Sequence, residues 1–326
     1  MVRFIIRRIL LTIPVILGVL LIVFLVSRLS GDPTASLLGE TATDAEIAEV
    51  RAGLGLDDPL PLQFYKYVKG IVTKFDLGTS YISRRPVNEE IIKRFPISLT
   101  LAVVSLSISL VIGVVFGVLC AINQNGKVDY VVTLVALICC SLPGFWVALM
   151  LIIVVSVKLG LLPPSGMGPW QHWVLPCGAM ALGPLATLTR TTRSSMLEVI
   201  RQDYITTAKS KGISSAKIIF KHALKNAIFP IITVFGAMTA ATIGGSIVIE
   251  TIFTFPGMGS YLATAITNRD FPVIQSTVFI LSLVVCFFNL LVDIAYGFAD
   301  PRIRAKYSSN KRQGKKHNTT QEQEAA

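Results

Sequence analysis

Charge is scarce in this chain, and acid is scarcer still. Charged residues make up 15% of 326 positions, with 19 Asp and Glu against 30 Lys and Arg. Histidine is rarer again, and His172, His222 and His317 lie far apart, so there is no H-E-x-x-H and no zinc-protease chemistry. No G-x-x-x-x-G-K-[ST] occurs, which excludes a P-loop within the chain. Cys120, Cys139, Cys140, Cys177 and Cys286 sit in or beside apolar runs without metal spacing or obvious disulfide partners, and they read as small hydrophobes in helix packing. No nucleophile-and-base pattern falls inside those runs, so an enzyme is not expected. The formal charge of +11 does not indicate a nucleic-acid partner, because no basic patch is interleaved with aromatics.

What is present is apolar sequence in long blocks. Apolar residues make up 52% of the chain, and a helix needs about 20 of them to cross a bilayer. The expected fold is therefore an all-α polytopic membrane protein with six transmembrane helices, at 9–29, 97–122, 130–157, 173–188, 227–249 and 273–296. The first run is too long for a signal peptide, and no small-x-small cleavage pattern follows at Ser30-Gly31-Asp32-Pro33. Pro143-Gly144 predicts a kink midway in the third span. Pro176, Gly178, Gly183 and Pro184 predict a broken fourth helix facing the bundle interior. Gly113-x-x-x-Gly117 permits close helix approach on the second span, and Gly236, Gly244 and Gly245 are read the same way on the fifth. The kinked third, broken fourth and Gly-rich fifth spans are the expected lining of any pathway.

Six spans place both termini on one side, and the distribution of Lys and Arg makes that side cytoplasmic. Arg3, Arg7, Arg8 and Lys127 lie there, as does a basic tail after the last span. A cytoplasmic insert at 190–228 joins helices 4 and 5 and carries Arg190, Arg193, Arg201, Lys209, Lys211, Lys217, Lys221 and Lys225 against Glu198 and Asp203. It reads as two short helices broken at Gly212, with Ser214 or Ser215 available to cap the second. This divides the chain into a tail and first helix (1–30), an extracytoplasmic lobe (31–95), a core (96–300) and a tail (301–326) expected to be disordered.

In the lobe, Thr43 and Glu46 form a capping box opening a helix to about Leu54, and residues 62–74 suit an amphipathic helix with Phe64, Tyr65 and Tyr67. The lobe reads equally as a rim touched by a partner or as packing on the helix ends. His172, beside Trp170 and Trp173, reads as part of an interfacial aromatic anchor, and His222 as a surface or docking residue. Glu250 closes the outer end of the fifth span. Asp293, the one acid well inside a span, is read as reaching the interface or pairing with an arginine of the N-terminus or tail, in preference to relaying protons.

At the insert the residues resemble a family. Gln202-Asp203-Tyr204-Ile205-Thr206-Thr207-Ala208-Lys209-Ser210-Lys211-Gly212, followed by His222-Ala223-Leu224-Lys225-Asn226 and Pro230, is similar to the cytoplasmic loop of binding-protein-dependent ABC importer permeases. More narrowly it resembles the first permease subunit of the dipeptide, oligopeptide and nickel group. Further similar stretches are Gly31-Asp32-Pro33, residues 55–61, residues 76–80, residues 250–259, residues 269–272 and residues 300–304. The Glu that opens the general permease pattern is absent, because Thr206 stands there.

The resemblance implies a bacterial or archaeal plasma-membrane subunit that pairs with a second, homologous permease. It also implies two cytoplasmic ATPases, which carry ATP and Mg so that this chain binds no cofactor, and an extracytoplasmic solute-binding protein. On this reading the ATPases contact Arg201, Asp203, Tyr204, Ile205, Ala208, Lys209, Lys211 and Gly212, with Tyr204 and Ile205 as apolar anchors. Peptides are the favoured solute and a nickel or other metal chelate the alternative. The readings from other classes are a secondary transporter, which would need ion-coupling groups and repeated halves, and a scaffold subunit, which would leave the insert idle.

Overall fold

The computed structural model describes residues 2–29, 34, 38, 43–53 and 55–299. The Gly31-Asp32-Pro33 and 300–304 motifs and the tail expected to be disordered lie outside the described residues. The described residues form eleven helices: α1 (Val2–Leu29), α2 (Asp44–Gly53), α3 (Leu60–Lys74), α4 (Val87–Ile122), α5 (Lys127–Ser141), α6 (Gly144–Lys158), α7 (Gln171–Ile200), α8 (Asp203–Ser210), α9 (Ser215–Ile252), α10 (Met258–Thr267) and α11 (Phe271–Ala299). Among the described residues the only β pairing is an isolated bridge between Thr79 and Pro86.

Stretches of α1, α4, α9 and α11 are long and apolar enough to cross a membrane, and the pair α5–α6 makes a fifth crossing if it is one span. The kink expected at Pro143-Gly144 is a full break, with α5 and α6 meeting at 105°. Proline lacks the N–H that would continue the α5 ladder, and Pro143 takes an extended ψ of 134° before α6 begins. The expected fourth span differs in the opposite sense. α7 runs unbroken for 30 residues through Pro176 and Pro184, and it is not among the helices that are apolar enough to cross by composition. The packing of α7 against α4 holds it straight, and Ser109 Oγ on α4 donates across to the Ala181 carbonyl at 2.8 Å. α7 does face the interior, with Leu175, Ala179, Ala186, Leu188 and Met196 buried.

The closest helix pair is α4 against α7, and glycine makes it possible. A Cβ on Gly117 would overlap the Thr192 side chain and stand 2.7 Å from the Thr189 carbonyl, and one on Gly113 would stand 2.9 Å from Leu188 Cβ. Gly236 similarly admits Val292 of α11. Gly244 and Gly245 have open space where a Cβ would be, so they are not packing glycines. Gly245 borders a cleft described below.

Three apolar clusters set the layout. One gathers Leu20, Ile71, Leu77, Val87, Ile91, Met258 and Val273 at the lobe end of α4. Another gathers Val118, Ala121, Met196, Ile205, Ala208, Ile218, Ala223 and Ala227 at the far end. With 36 residues, α4 separates these ends by about 54 Å. Between them Leu101, Ala148, Met180, Ile243, Phe253 and Phe255 form the central core. The face of α1 away from α11 exposes Leu10, Val15, Ile22 and Val26, a continuous apolar surface of the kind a bilayer covers.

The lobe packs on the helix ends. Thr43 N donates to Glu46 Oε2 at 2.9 Å and Glu46 N to Thr43 Oγ1 at 3.4 Å, so the capping box is formed. These bonds hold the Glu46 carboxyl below its usual pKa. That contribution is present above the ordinary carboxylate range and is lost as pH falls through the lowered value. Phe64 and Tyr67 meet Phe24 of α1 at 5.4 and 6.2 Å between ring centroids. Ser80 Oγ and Tyr81 N donate to the buried Asp270 carboxylate at 2.5 and 3.0 Å, and Ser276 Oγ donates to Leu77 O at 2.6 Å. The 76–80 and 269–272 stretches, almost 190 residues apart, thus form one joint.

Candidate functional site

At the end opposite the lobe, α8 lies across the ends of α4, α7 and α9. Its spacing explains its seat: Ile205 and Ala208, three apart on one helix face, are buried against Val118, Met196 and Ala223. Gly212 then turns the chain with φ +74°, donating its N–H to Lys209 O at 2.9 Å. Only glycine holds that region without strain. Ser214 occupies the cap position of α9 with extended backbone, but its side chain makes no capping bond. The expected pair of helices in a separate insert is corrected accordingly. Arg190 and Arg193 belong to the end of α7, residues 215–228 belong to the start of α9, and only α8 is a separate short helix.

Ile205, read as an anchor for a partner, is 0% exposed within this chain and fastens α8 to its own bundle. Ala208 does the same. Asp203, Tyr204, Lys209, Lys211, Arg201 and Gly212 are exposed, as is Thr206 at the position of the missing Glu. Tyr204 is 45% exposed, and its hydroxyl accepts a hydrogen bond from Asn226 Nδ2 at 3.0 Å. The free face of α8 therefore offers one aromatic ring held in place, with mixed charge around it.

Beside this surface α5 is tied to α7 by an ion pair that sequence reading missed. Arg193 Nε and Nη2 lie 2.5 and 2.7 Å from the two Asp129 oxygens, and Asn125 N donates to the same carboxylate at 3.0 Å. Asp129 is 4% exposed. Asp129→Ala leaves Arg193 uncompensated and is expected to cost about 2 kcal/mol, below the cost of breaking a fully buried pair because Arg193 keeps some contact with water. Thermal melting of the purified protein checks this, with Asp129→Asn falling between alanine and wild type.

A cleft of about 510 Å³ opens between the α5–α6 break, α7 and α9. Its walls are the three spans expected to line a pathway, with Gly144, Phe145, Met180, Pro184, Thr242 and Gly245 among the lining residues. Cys140 and Cys139 also border it, so these two cysteines are not packing residues in the way that buried Cys120 and Cys177 are.

At the lobe end, Glu250 is 0% exposed, and its carboxylate accepts from Ser98 Oγ at 2.6 Å, Gly259 N at 2.7 Å and Ser260 N at 3.0 Å. Ser98 Oγ accepts in turn from Met258 N at 2.7 Å. Glu250 therefore does more than close α9: it caps the N-terminus of α10 and folds the chain back into the bundle. Asp293 pairs with Arg8 of the N-terminal helix at 2.8 Å, as expected of an anchored acid. Of the residues read as an interfacial anchor, Trp170 is exposed, whereas His172 and Trp173 make internal contacts. His172 Nδ1 lies 2.9 Å from Gly166 O in a loop clasp, and Trp173 packs inward, edge-on to Phe255 at 5.0 Å. Among the described residues no cluster of three or more His, Cys, Asp or Glu has metal-binding geometry.

This architecture matches known membrane transport subunits. The family profile described as "Binding-protein-dependent transport system inner membrane component" matches residues 113–305, and that of its N-terminal region matches residues 1–102. The oligopeptide transport system permease protein AppB of Bacillus subtilis is 39% identical over 315 residues, covering 93% of this chain and 99% of the relative. The glutathione transport system permease protein GsiC of Pectobacterium atrosepticum is 39% identical over 307 residues, covering 94% and 100%. The dipeptide transport system permease protein DppB of Alkalihalophilus pseudofirmus is 37% identical over 333 residues, covering 93% and 100%. Among solved structures, the inward-facing MetNI methionine ABC transporter aligns with a TM-score of 0.55 at 18% identity, over 65% of this chain and 97% of that one, a likeness of fold. The chain belongs to the binding-protein-dependent transport system inner membrane component family. It is a helical, multi-pass membrane subunit of a transporter.

Proposed function

We propose that this chain is the permease subunit of an ATP-driven, binding-protein-dependent importer of peptides. The observation that carries the reading is α8: a short exposed helix clamped by Ile205 and Ala208 onto the ends of the pathway helices, in a chain whose relatives are named as peptide permeases. On this reading the chain crosses six times, with α5–α6 and α7 as the third and fourth crossings, and both termini and α8 lie in the cytoplasm of a bacterial cell. There the basic residues around α8 obey the positive-inside rule. A second permease of the same family closes the cleft from its open side. Two ATPases, which hold ATP and Mg, take the exposed face of α8 around Tyr204, and a solute-binding protein delivers solute to the lobe end.

The mechanism needs no chemistry from this subunit. Two arrangements of the permease pair alternate, and the partners bias them through differential contacts with α8. Among the described residues the acids within the apolar spans are engaged structurally, Asp293 with Arg8 and Glu250 with α10. That disfavours an ion-coupled secondary transporter.

The test is ATP-dependent uptake of a labelled dipeptide into vesicles holding the reconstituted complex and its binding protein. Gly212→Pro cannot adopt φ +74° and loses the N–H to Lys209 O. It is expected to lower uptake by at least about tenfold while the complex still assembles. Uptake of a nickel chelate in place of peptide would move the solute assignment and leave the mechanism. Uptake without the ATPases would overturn both.

A further inference from the structure

The cleft does not end at its apolar part. Along α7 the residues Gly183 and Thr187 border it, and Thr187, Arg190, Thr191 and Ser194 continue the same helical stripe into a second hollow of about 580 Å³ that also touches Thr133 and Leu137 of α5. Thr187 is common to both, so the two hollows adjoin as one groove along α7, and its lining changes from apolar to polar toward the α8 end. Two arginines enter the polar part, and they differ in charge balance. Arg193 is held bidentately by Asp129 at 2.5 and 2.7 Å, which leaves that pair neutral. Arg190 is exposed, and among the described residues no carboxylate lies within ion-pair distance of it. The groove thus carries one uncompensated guanidinium at its inner end, with hydroxyls of Thr191 and Ser194 on the same face.

We propose that Arg190 is an oxyanion-binding station at the inner end of the groove, where it receives the terminal carboxylate of the translocated peptide. A guanidinium grips a carboxylate through two parallel hydrogen bonds, whereas the apolar walls above it accept side chains of many shapes. The pairing of Arg193 with Asp129 keeps the neighbouring carboxylate from competing for Arg190 or repelling the solute. The step is binding only. It rests on the peptide-importer reading of the preceding section, and it adds the solute group recognised and the residue that recognises it.

The experiment uses the complete complex with its ATPases and binding protein, in vesicles of phosphatidylcholine and in vesicles that also contain phosphatidylglycerol. Uptake of labelled dialanine and ATP hydrolysis stimulated by loaded binding protein are measured for wild type, R190K, R190Q and R190E. Uptake is expected to fall in that order, by about tenfold at R190Q, in both kinds of vesicle, while stimulated ATP hydrolysis stays near the wild-type rate. Unchanged uptake in R190Q would overturn the proposal. Uptake and stimulated hydrolysis falling together would overturn it too, since that marks a mechanical role. A loss confined to phosphatidylglycerol vesicles would assign Arg190 to a lipid phosphate instead. Wild-type complex that carries no dialanine at all would remove the peptide reading itself, and this proposal with it.

Discussion

Gly117→Leu is expected to remove the protein from the membrane fraction. A Cβ alone at this position overlaps the Thr192 side chain and crowds the Thr189 carbonyl. The obstacle includes backbone, so no rotamer change relieves it. Gly113 one turn away is equally close to Leu188, so α4 cannot slide along α7 to make room. Overpacking typically costs about 1–3 kcal/mol, and a full leucine against a backbone contact in the tightest helix pair of the bundle exceeds the upper end of that range. Gly117→Ala is the graded control: it is expected to accumulate at reduced level and melt at lower temperature. Membrane-fraction abundance by immunoblot and melting of the purified protein read the effect. Gly244→Ala, where open space surrounds the site, is expected to leave both unchanged.

Glu250→Ala is expected to release α10 from the bundle. The substitution strands Gly259 N and Ser260 N without their acceptor, and Ser98 loses the carboxylate to which it donates. Hydrogen bonds to a charged group contribute about 1.5–3 kcal/mol each, so even with partial relaxation the loss amounts to about 4 kcal/mol. Gln at this position keeps one oxygen for the two amides and turns an NH2 toward Ser98 Oγ, so Glu250→Gln is expected to recover more than half of the stability. Thermal melting orders the variants, and limited proteolysis between α9 and α11 reports whether α10 has come loose. If alanine and glutamine prove equally stable to both, Glu250 is not the cap that the geometry indicates.

Local signals in the sequence translated directly into structure. The Thr43–Glu46 box, the amphipathic 62–74 stretch, the Gly113–Gly117 spacing and the Pro143-Gly144 break each depend on residues within one or two turns, and each took the form that its chemistry dictates. The three helices expected to line a pathway were picked out by their prolines and glycines, and all three border the 510 Å³ cleft. What stayed hidden depends on distance along the chain. Asp129 and Arg193 are 64 residues apart, and nothing local to either announces the other. Arg193 counted only as one more basic residue. Glu250 looked like a terminal acid because its partners, Ser98 and Gly259, come from a different helix and a later turn.

Two misreadings share a cause. The prolines of α7 predict breaks in an isolated helix, yet α7 stays straight against α4, where Ser109 reaches across to the Ala181 carbonyl. The resemblance implies Ile205 as an apolar anchor for the ATPases. Its use is internal, in a pocket made by three other helices. A periodicity argument finds an apolar residue but does not say which body it adheres to.

The unbroken α7 has a mechanical consequence. At about 1.5 Å per residue its 30 residues make a strut about 45 Å long. It joins the loop at Trp170 to the seat of α8 with no hinge between, and it is stiffened laterally along its length by α4. A push on α8 therefore travels to the opposite face as displacement instead of being absorbed as bending. The compliance that any rocking motion requires has to reside elsewhere, and the 105° elbow between α5 and α6 is the joint that flanks the strut. Force would be carried by one helix and shape change by the other, so stiffening the elbow should arrest motion even where every contact of α8 is intact.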